Sequence, residues 1–152
     1  AAGFGAANAK MRLLLARSGA RAVEVEPLGE PPVEPVPVAV RPLPVAPGDF
    51  RLRHKTSDRA FYRDALAGTG AFEVVFTDPE GFLTEGSFTT IFVDRGGQLL
   101  TPALSRGLLP GVLRQRLIEE GRAMEAHLRE RDLQDGFLIG NSVRGLIRAR
   151  LT

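Results

Sequence analysis

Eight of the eleven prolines fall between residues 27 and 48, and no other stretch limits the fold as strongly. A proline has no backbone N–H to give and holds its own φ fixed, so this segment can run neither as a helix nor as the middle of a regular ladder. Its denser half, residues 27–35, reads as an extended linker. Residues 36–45 keep a two-residue period among the prolines, with Val36, Val38, Val40, Leu43 and Val45 apolar. That period marks a half-buried strand, and its prolines put it near a sheet edge. The chain is expected to divide into a remnant at 1–26, a linker at 27–35 and a second domain at 36–152.

Residues 1–9 show no periodicity and read as a frayed end. Residues 11–15 and 22–25 read as two strands joined by a turn at Ser18-Gly19. The hairpin looks like the end of a domain whose beginning is absent, and the Ala/Gly-rich start without methionine suggests a piece of a longer protein. Beyond the linker, residues 58–66 are predicted as a helix capped by Thr56 or Ser57. Strands follow at 72–77, 82–84, 89–93, 98–101, 123–128, 137–139 and 145–151. A second helix starts after Pro110, at a position where proline suits the first turn, and ends at Gly121. Strands outnumber helices, so the class is α+β with a mixed, barrel-like sheet and flanking helices.

Composition excludes several classes. With no cysteine there are no disulfides and no thiolate metal site, which fits a cytoplasmic setting. His127 has no ligand-type partner at useful spacing, so no metal is expected. No apolar run approaches the roughly 18 residues of a membrane span. The formal net charge is +2, with one tyrosine and no tryptophan. Acids and arginines are interspersed, and nothing forms the basic stripe of a nucleic-acid binder.

Of the 20 basic side chains only Lys10 and Lys55 are lysines. Arginine keeps its proton near neutral pH and cannot be a nucleophile. A lysine can act as a neutral amine once burial or nearby cations favour that form, and Arg53 and Arg59 flank Lys55. Two readings are open for Lys55: an amine that forms a Schiff base with a carbonyl cofactor, or a surface lysine before a helix. Glu85 likewise reads as a site carboxylate or as a turn residue before a strand. Gly111, Val112 and Leu113 open a helix after Pro110, where free amides and the helix dipole suit a phosphate. An ordinary helix start looks the same in isolation. Tyr62 reads as packing.

Taken together, Glu85-Gly-Ser-Phe-Thr-Thr-Ile-Phe92, Leu99-Leu-Thr101 and Leu109-Pro-Gly-Val-Leu-Arg114 resemble the signature of the class IV, or fold type IV, aminotransferases that use pyridoxal 5'-phosphate. Thr90 stands where that family usually has Asn, a change expected in loop hydrogen bonding and not in cofactor contacts. The resemblance covers residues 36–152, and 10–25 weakly. It implies the cofactor-binding C-terminal domain of such an enzyme, with most of the N-terminal domain missing. In the family a lysine a few dozen residues before the Glu follows a strand, and Lys55 matches it. Lys55 would hold the pyridoxal aldehyde, and Glu85 would face the ring nitrogen. The amides of Val112 and Leu113 would take the phosphate, and Leu109 would pack on the ring. Thr89 would lie beside the ring. Asn141 and Ser142 would add a phosphate or carboxylate contact.

Three stretches, 54–59, 108–114 and 140–147, look most like the family's 4-amino-4-deoxychorismate lyase. That enzyme releases pyruvate and 4-aminobenzoate, a folate precursor, and is fused behind the synthase subunit in some bacteria. Arg144 and Arg59 are then candidates for a substrate carboxylate, since a guanidinium fork binds one bidentately. The rivals are a D-amino acid or branched-chain aminotransferase, and a non-catalytic remnant. The resemblance also implies a homodimer acting on a small molecule, without nucleic acid or membrane.

Overall fold

A computed structural model of the chain describes residues 8–152. The frayed end expected at 1–9 therefore lies, up to residue 7, outside the described residues. Two compact units divide between Pro32 and Val33.

The first unit holds an antiparallel hairpin of β1 (Ala9–Leu15) and β2 (Arg21–Pro27). Register follows sequence chemistry. Lys10 faces Glu26 and Arg12 faces Glu24, and both pairs close as ion pairs at 3.6 and 3.3 Å. On the opposite face Met11 meets Val25 and Leu13 meets Val23.

The second unit is a mixed sheet with two α-helices among the described residues. In chain order its elements are β3 (Val36–Pro42), α1 (Ala60–Leu66), β4 (Glu73–Thr77), β5 (Leu83–Gly86) and β6 (Thr90–Arg95). Then come β7 (Gln98–Pro102), α2 (Val112–Glu119), β8 (Ala123–Ala126), β9 (Phe137–Asn141) and β10 (Gly145–Leu151). The strands lie in the order β5-β4-β3-β10-β9-β6-β7-β8. Pairing is parallel for β3 with β4 and β10 and for β7 with β8, and antiparallel elsewhere. The end strand β5 is tied to the segment after β8 through Leu83 N–H donating to Leu128 O at 2.8 Å and a Phe82–Arg129 bridge. The sheet thus curls toward a barrel, as the resemblance implied.

Successive residues of a strand point to opposite faces, and here each face has its own core. Val38, Val75, Leu83, Ile91, Val93, Ile139 and Ile147 fill the main cluster. Val74 and Phe76, one residue out of phase with Val75, pack with Leu52 and Tyr62 of the α1 side. Phe92, between Ile91 and Val93, joins Leu117 of α2. Each fully buried side chain of this kind contributes about 1.5–3 kcal/mol.

Four expectations need correcting. β3 was expected near an edge but lies between β4 and β10. Its prolines sit at the second and last positions, and the Pro37 carbonyl still accepts Phe72 N–H at 2.9 Å. Lys55 does not follow a strand: residues Phe50–Leu52 form a 3-10 turn capped by Asp49, and 53–59 are loop. α1 begins at Ala60, with Arg59 as an N-cap that makes no side-chain cap bond. Thr56 Oγ1 is turned to Asp58 O at 3.3 Å, and Asp58 pairs with Arg51 at 3.0 Å. Pro110 stands one residue before the α2 N-cap, Gly111, and not in the first turn.

Candidate active site

Glu85 is the centre of the site. It sits on β5 and is buried on the face shared with α1. One carboxyl oxygen accepts Leu109 N–H at 3.0 Å, and the other accepts a hydrogen bond from Tyr62 Oη–H. Burial pushes the Glu85 carboxyl up from its ordinary range, and the neighbouring Glu73 adds to that. The Tyr62 and Leu109 donors and the Arg59 charge oppose it.

Tyr62 was read as packing, and its ring does pack, 5.5 Å from the Phe76 ring. Its hydroxyl was missed. The available signal was its spacing three residues after Arg59, which puts both on one side of the helix start. The Arg59 guanidinium lies 4.2 Å over the Tyr62 ring and donates through Nη2 to Ser87 O at 3.0 Å. Its other terminal nitrogen, Nη1, is buried with no partner.

Glu73, on β4, was also missed. It is fully buried and gathers the turn after β5: Ser87 N–H (3.0 Å) and Oγ–H, Phe88 N–H (3.2 Å) and Thr89 Oγ1–H (2.7 Å), besides Val74 N–H (2.8 Å). Thr89, proposed beside a ring, thus has its hydroxyl committed to Glu73. A Cβ on Gly86 would fall 2.5 Å from Thr89 Oγ1 and 2.8 Å from Glu73 Oε2, so only glycine fits.

The mouth of α2 borders the same turn. A Cβ on Gly111 would stand 3.1 Å from Thr90 Oγ1, so glycine lets the two segments approach. The first amides of a helix, here those of Val112 and Leu113, have no intrahelical acceptor. The Val112 side chain is exposed, while Leu113 is half-buried and packs toward Gly140 on β9. At the end of β9, Asn141 Nδ2–H donates to Phe88 O at 3.2 Å, and its Oδ1 accepts Val143 and Arg144 N–H, both at 3.0 Å. Asn141 is therefore held by the turn that Glu73 organises. Ser142 is exposed, and Arg144 is half-buried. Glu85, Leu109, Thr89, Asn141 and the α2 mouth form one connected set, with Arg59 joined through Ser87. Lys55 is exposed on the loop four residues before Arg59.

The set suits an anionic heteroaromatic ligand. Glu85 has acceptor capacity for a ring N–H, and Arg59 Nη1 is a buried donor lacking an acceptor. Gly111 lies against Thr90 at the start of α2, where the first amides have no intrahelical acceptor. These donors and acceptors fit pyridoxal phosphate.

The model of the family described as "Amino-transferase class IV" matches residues 2–151. The chain belongs to this family. A provisionally named aminodeoxychorismate lyase of Schizosaccharomyces pombe is 32% identical over 108 residues, covering 64% of this class IV chain and 47% of the relative. The chain thus spans about half the length of that relative. A provisionally named amino-acid aminotransferase of Mesorhizobium loti superposes with a TM-score of 0.85 at 39% identity, over 93% of this chain and 72% of the other. A Mycobacterium tuberculosis protein described as a hypothetical aminotransferase, in its pyridoxal-phosphate-bound form, gives a TM-score of 0.78 at 25% identity, over 94% and 60%. No helix among the described residues is long and apolar enough to cross a membrane.

Proposed function

We propose that this class IV chain carries the cofactor-binding part of a pyridoxal-phosphate enzyme, and that the enzyme is a 4-amino-4-deoxychorismate lyase. The observation that carries the cofactor reading is the buried Glu85 carboxylate, braced by Tyr62 and by Leu109, which stands just before the start of α2. Glu85 holds a protonated ring nitrogen by charge and hydrogen bond. The Val112 and Leu113 amides, reached past Gly111, hold the phosphate. Lys55 would be the amine that holds the cofactor, and its neutral form would accept a proton from the substrate. When bound, pyridoxal phosphate supplies the electron sink for carbanion character at the substrate. Arg59 and Arg144 are the candidates for a substrate carboxylate, with Asn141 and Ser142 beside them. A homodimer and a small-molecule substrate complete the reading.

The lyase assignment is supported by residues 54–59, 108–114 and 140–147 and by the S. pombe relative. The likeness to the M. loti protein over 93% of the chain favours a second reading, an amino-acid aminotransferase with the same cofactor site.

The test has two stages. The protein is incubated with pyridoxal phosphate and reduced with borohydride. The cofactor's mass is expected on Lys55 by peptide mapping, and no increment in Lys55→Ala. Absence of the adduct from the wild-type protein would refute the cofactor reading. The second stage supplies aminodeoxychorismate without a keto acid. Pyruvate and 4-aminobenzoate are expected, whereas turnover that requires a keto-acid acceptor selects the aminotransferase.

A further inference from the structure

Glu85 is a carboxylate with no bulk water to hold its charge, and the groups facing it come from four directions. The Tyr62 hydroxyl reaches it from α1, and the Leu109 N–H from the loop before α2. The Arg59 charge acts from the segment before α1, and the Glu73 carboxyl from β4. Burial and Glu73 favour the neutral acid, and the other three favour the anion. The Tyr62 hydrogen bond is first among those three.

We infer that Tyr62 is a positioning residue: its hydroxyl keeps the Glu85 carboxyl ionised and fixed in direction, so that Glu85 presents a charge, not a neutral acid, to a ligand's protonated nitrogen. The ligand part of this statement rests on the cofactor reading above. The part about Glu85 rests on this chain alone.

The geometry supports the direction of the bond. The Tyr62 ring cannot swing away. It lies 4.1 Å from the Phe61 ring and 5.5 Å from that of Phe76, with the Arg59 guanidinium 4.2 Å above it. Glu85 is the one acceptor of its hydroxyl proton among the described residues. If Glu85 were the donor, the buried hydroxyl proton would be left without an acceptor, which is unfavourable. Burial and the Glu85 charge push the Tyr62 phenol far up, so it stays a donor wherever Glu85 is ionised. The second donor, Leu109 N–H, belongs to a loop, whereas Tyr62 is anchored in a core.

The chain has a single tyrosine, which makes the test specific. The protein, free of cofactor, is labelled with 13C at the glutamate carboxyls, and the Glu85 resonance is assigned by its loss in Glu85→Gln. Tyr62→Phe keeps the ring and removes one charge-assisted hydrogen bond of about 1.5–3 kcal/mol. The Glu85 midpoint is expected to rise by about 1–2 pH units. An unchanged or lower midpoint overturns the inference. Should Tyr62→Phe not fold, wild-type protein carrying 3-fluorotyrosine decides. Its lone fluorine resonance is expected to move with the same midpoint as the Glu85 carboxyl, and a resonance that ignores that titration overturns the inference. Neither readout needs cofactor. A protein that takes up no pyridoxal phosphate therefore refutes the cofactor reading and leaves the role of Tyr62 to be judged on the titration.

Discussion

Glu73 and Glu85 stand on neighbouring strands, are both buried, and are separated by a single turn, yet the molecule uses them in opposite ways. Glu73 accepts five hydrogen bonds from Val74, Ser87, Phe88 and Thr89. Glu85 accepts two, from Tyr62 and Leu109. A carboxylate offers about four lone-pair sites, so Glu73 is saturated while Glu85 can still take a donor. Saturation turns a buried acid into a fastener, which sets the turn that carries Ser87, Phe88 and Thr89. Incomplete satisfaction turns the other into a site, because its remaining demand is met by whatever binds. The same burial cost thus yields architecture on one strand and chemistry on the next.

The comparison breaks most severely at Glu73. In Glu73→Gln the amide nitrogen must face donors in either orientation, since Oε1 and Oε2 each accept at least two bonds. A loss of about 3 kcal/mol or more in unfolding free energy is expected, read from urea denaturation. A loss below about 1 kcal/mol would mean that the five bonds fasten nothing. Gly86→Ala attacks the same net from inside, its Cβ falling 2.5 Å from Thr89 Oγ1. We expect about 2 kcal/mol for this overpacking. Removing the obstructing hydroxyl in Gly86→Ala/Thr89→Ala should make the pair non-additive. Strict additivity would show that Thr89 is not what the new methyl meets.

Glu85→Gln should cost less, about 1 kcal/mol, since one oxygen keeps its donor and one N–H is left facing the new amide. The measure is the same denaturation series. If Glu85→Gln proves as damaging as Glu73→Gln, the two acids are equivalent supports and the contrast is lost. Uptake of pyridoxal phosphate separates them further. It should weaken at least about tenfold in Glu85→Gln, the worth of one charged hydrogen bond.

How much of this was legible beforehand depends on sequence distance. Glu85, Leu109 and the α2 mouth lie inside one long spaced pattern, so the resemblance carried them together. Glu73 opens an apolar strand, Glu-Val-Val-Phe, where a lone acid reads as a strand-end charge. Its role arises only from contacts 14 to 16 residues away. Tyr62 was legible as core, but a hydroxyl's partner 23 residues distant is not a property of local pattern. The strand expected before Lys55 came only with the resemblance, and local contacts make a 3-10 turn there instead. The decisive contact there is Asp49 accepting Arg51 N–H at 2.9 Å. The prolines of β3 misled for a related reason: position within the strand, not number, decides whether a ladder tolerates them.

The smallest effect is on stability against pH, and it tests whether both acids feel their burial. Each has its folded-state affinity for a proton raised by burial. As pH rises, the unfolded chain therefore releases these protons first, and stability falls. The contribution is full below the ordinary carboxylate range and is lost as pH climbs through the raised folded values. The slope is at most about 1.4 kcal/mol per pH unit for each proton. Asp49, Glu120 and Glu125 are lowered by hydrogen bonds from Arg51, Arg116 and Arg114 and slope the opposite way. They lie toward the surface, so the series is best run in high salt, which screens exposed pairs. Under those conditions the wild-type urea midpoint should decline from acid toward neutral pH, and Glu85→Gln should flatten part of that decline. Tyr62→Phe should push the decline to higher pH, because Glu85 then holds its proton longer. A Glu85→Gln curve parallel to wild type would mean that Glu85 titrates as an ordinary surface acid, which its place beside Tyr62 and Leu109 does not allow.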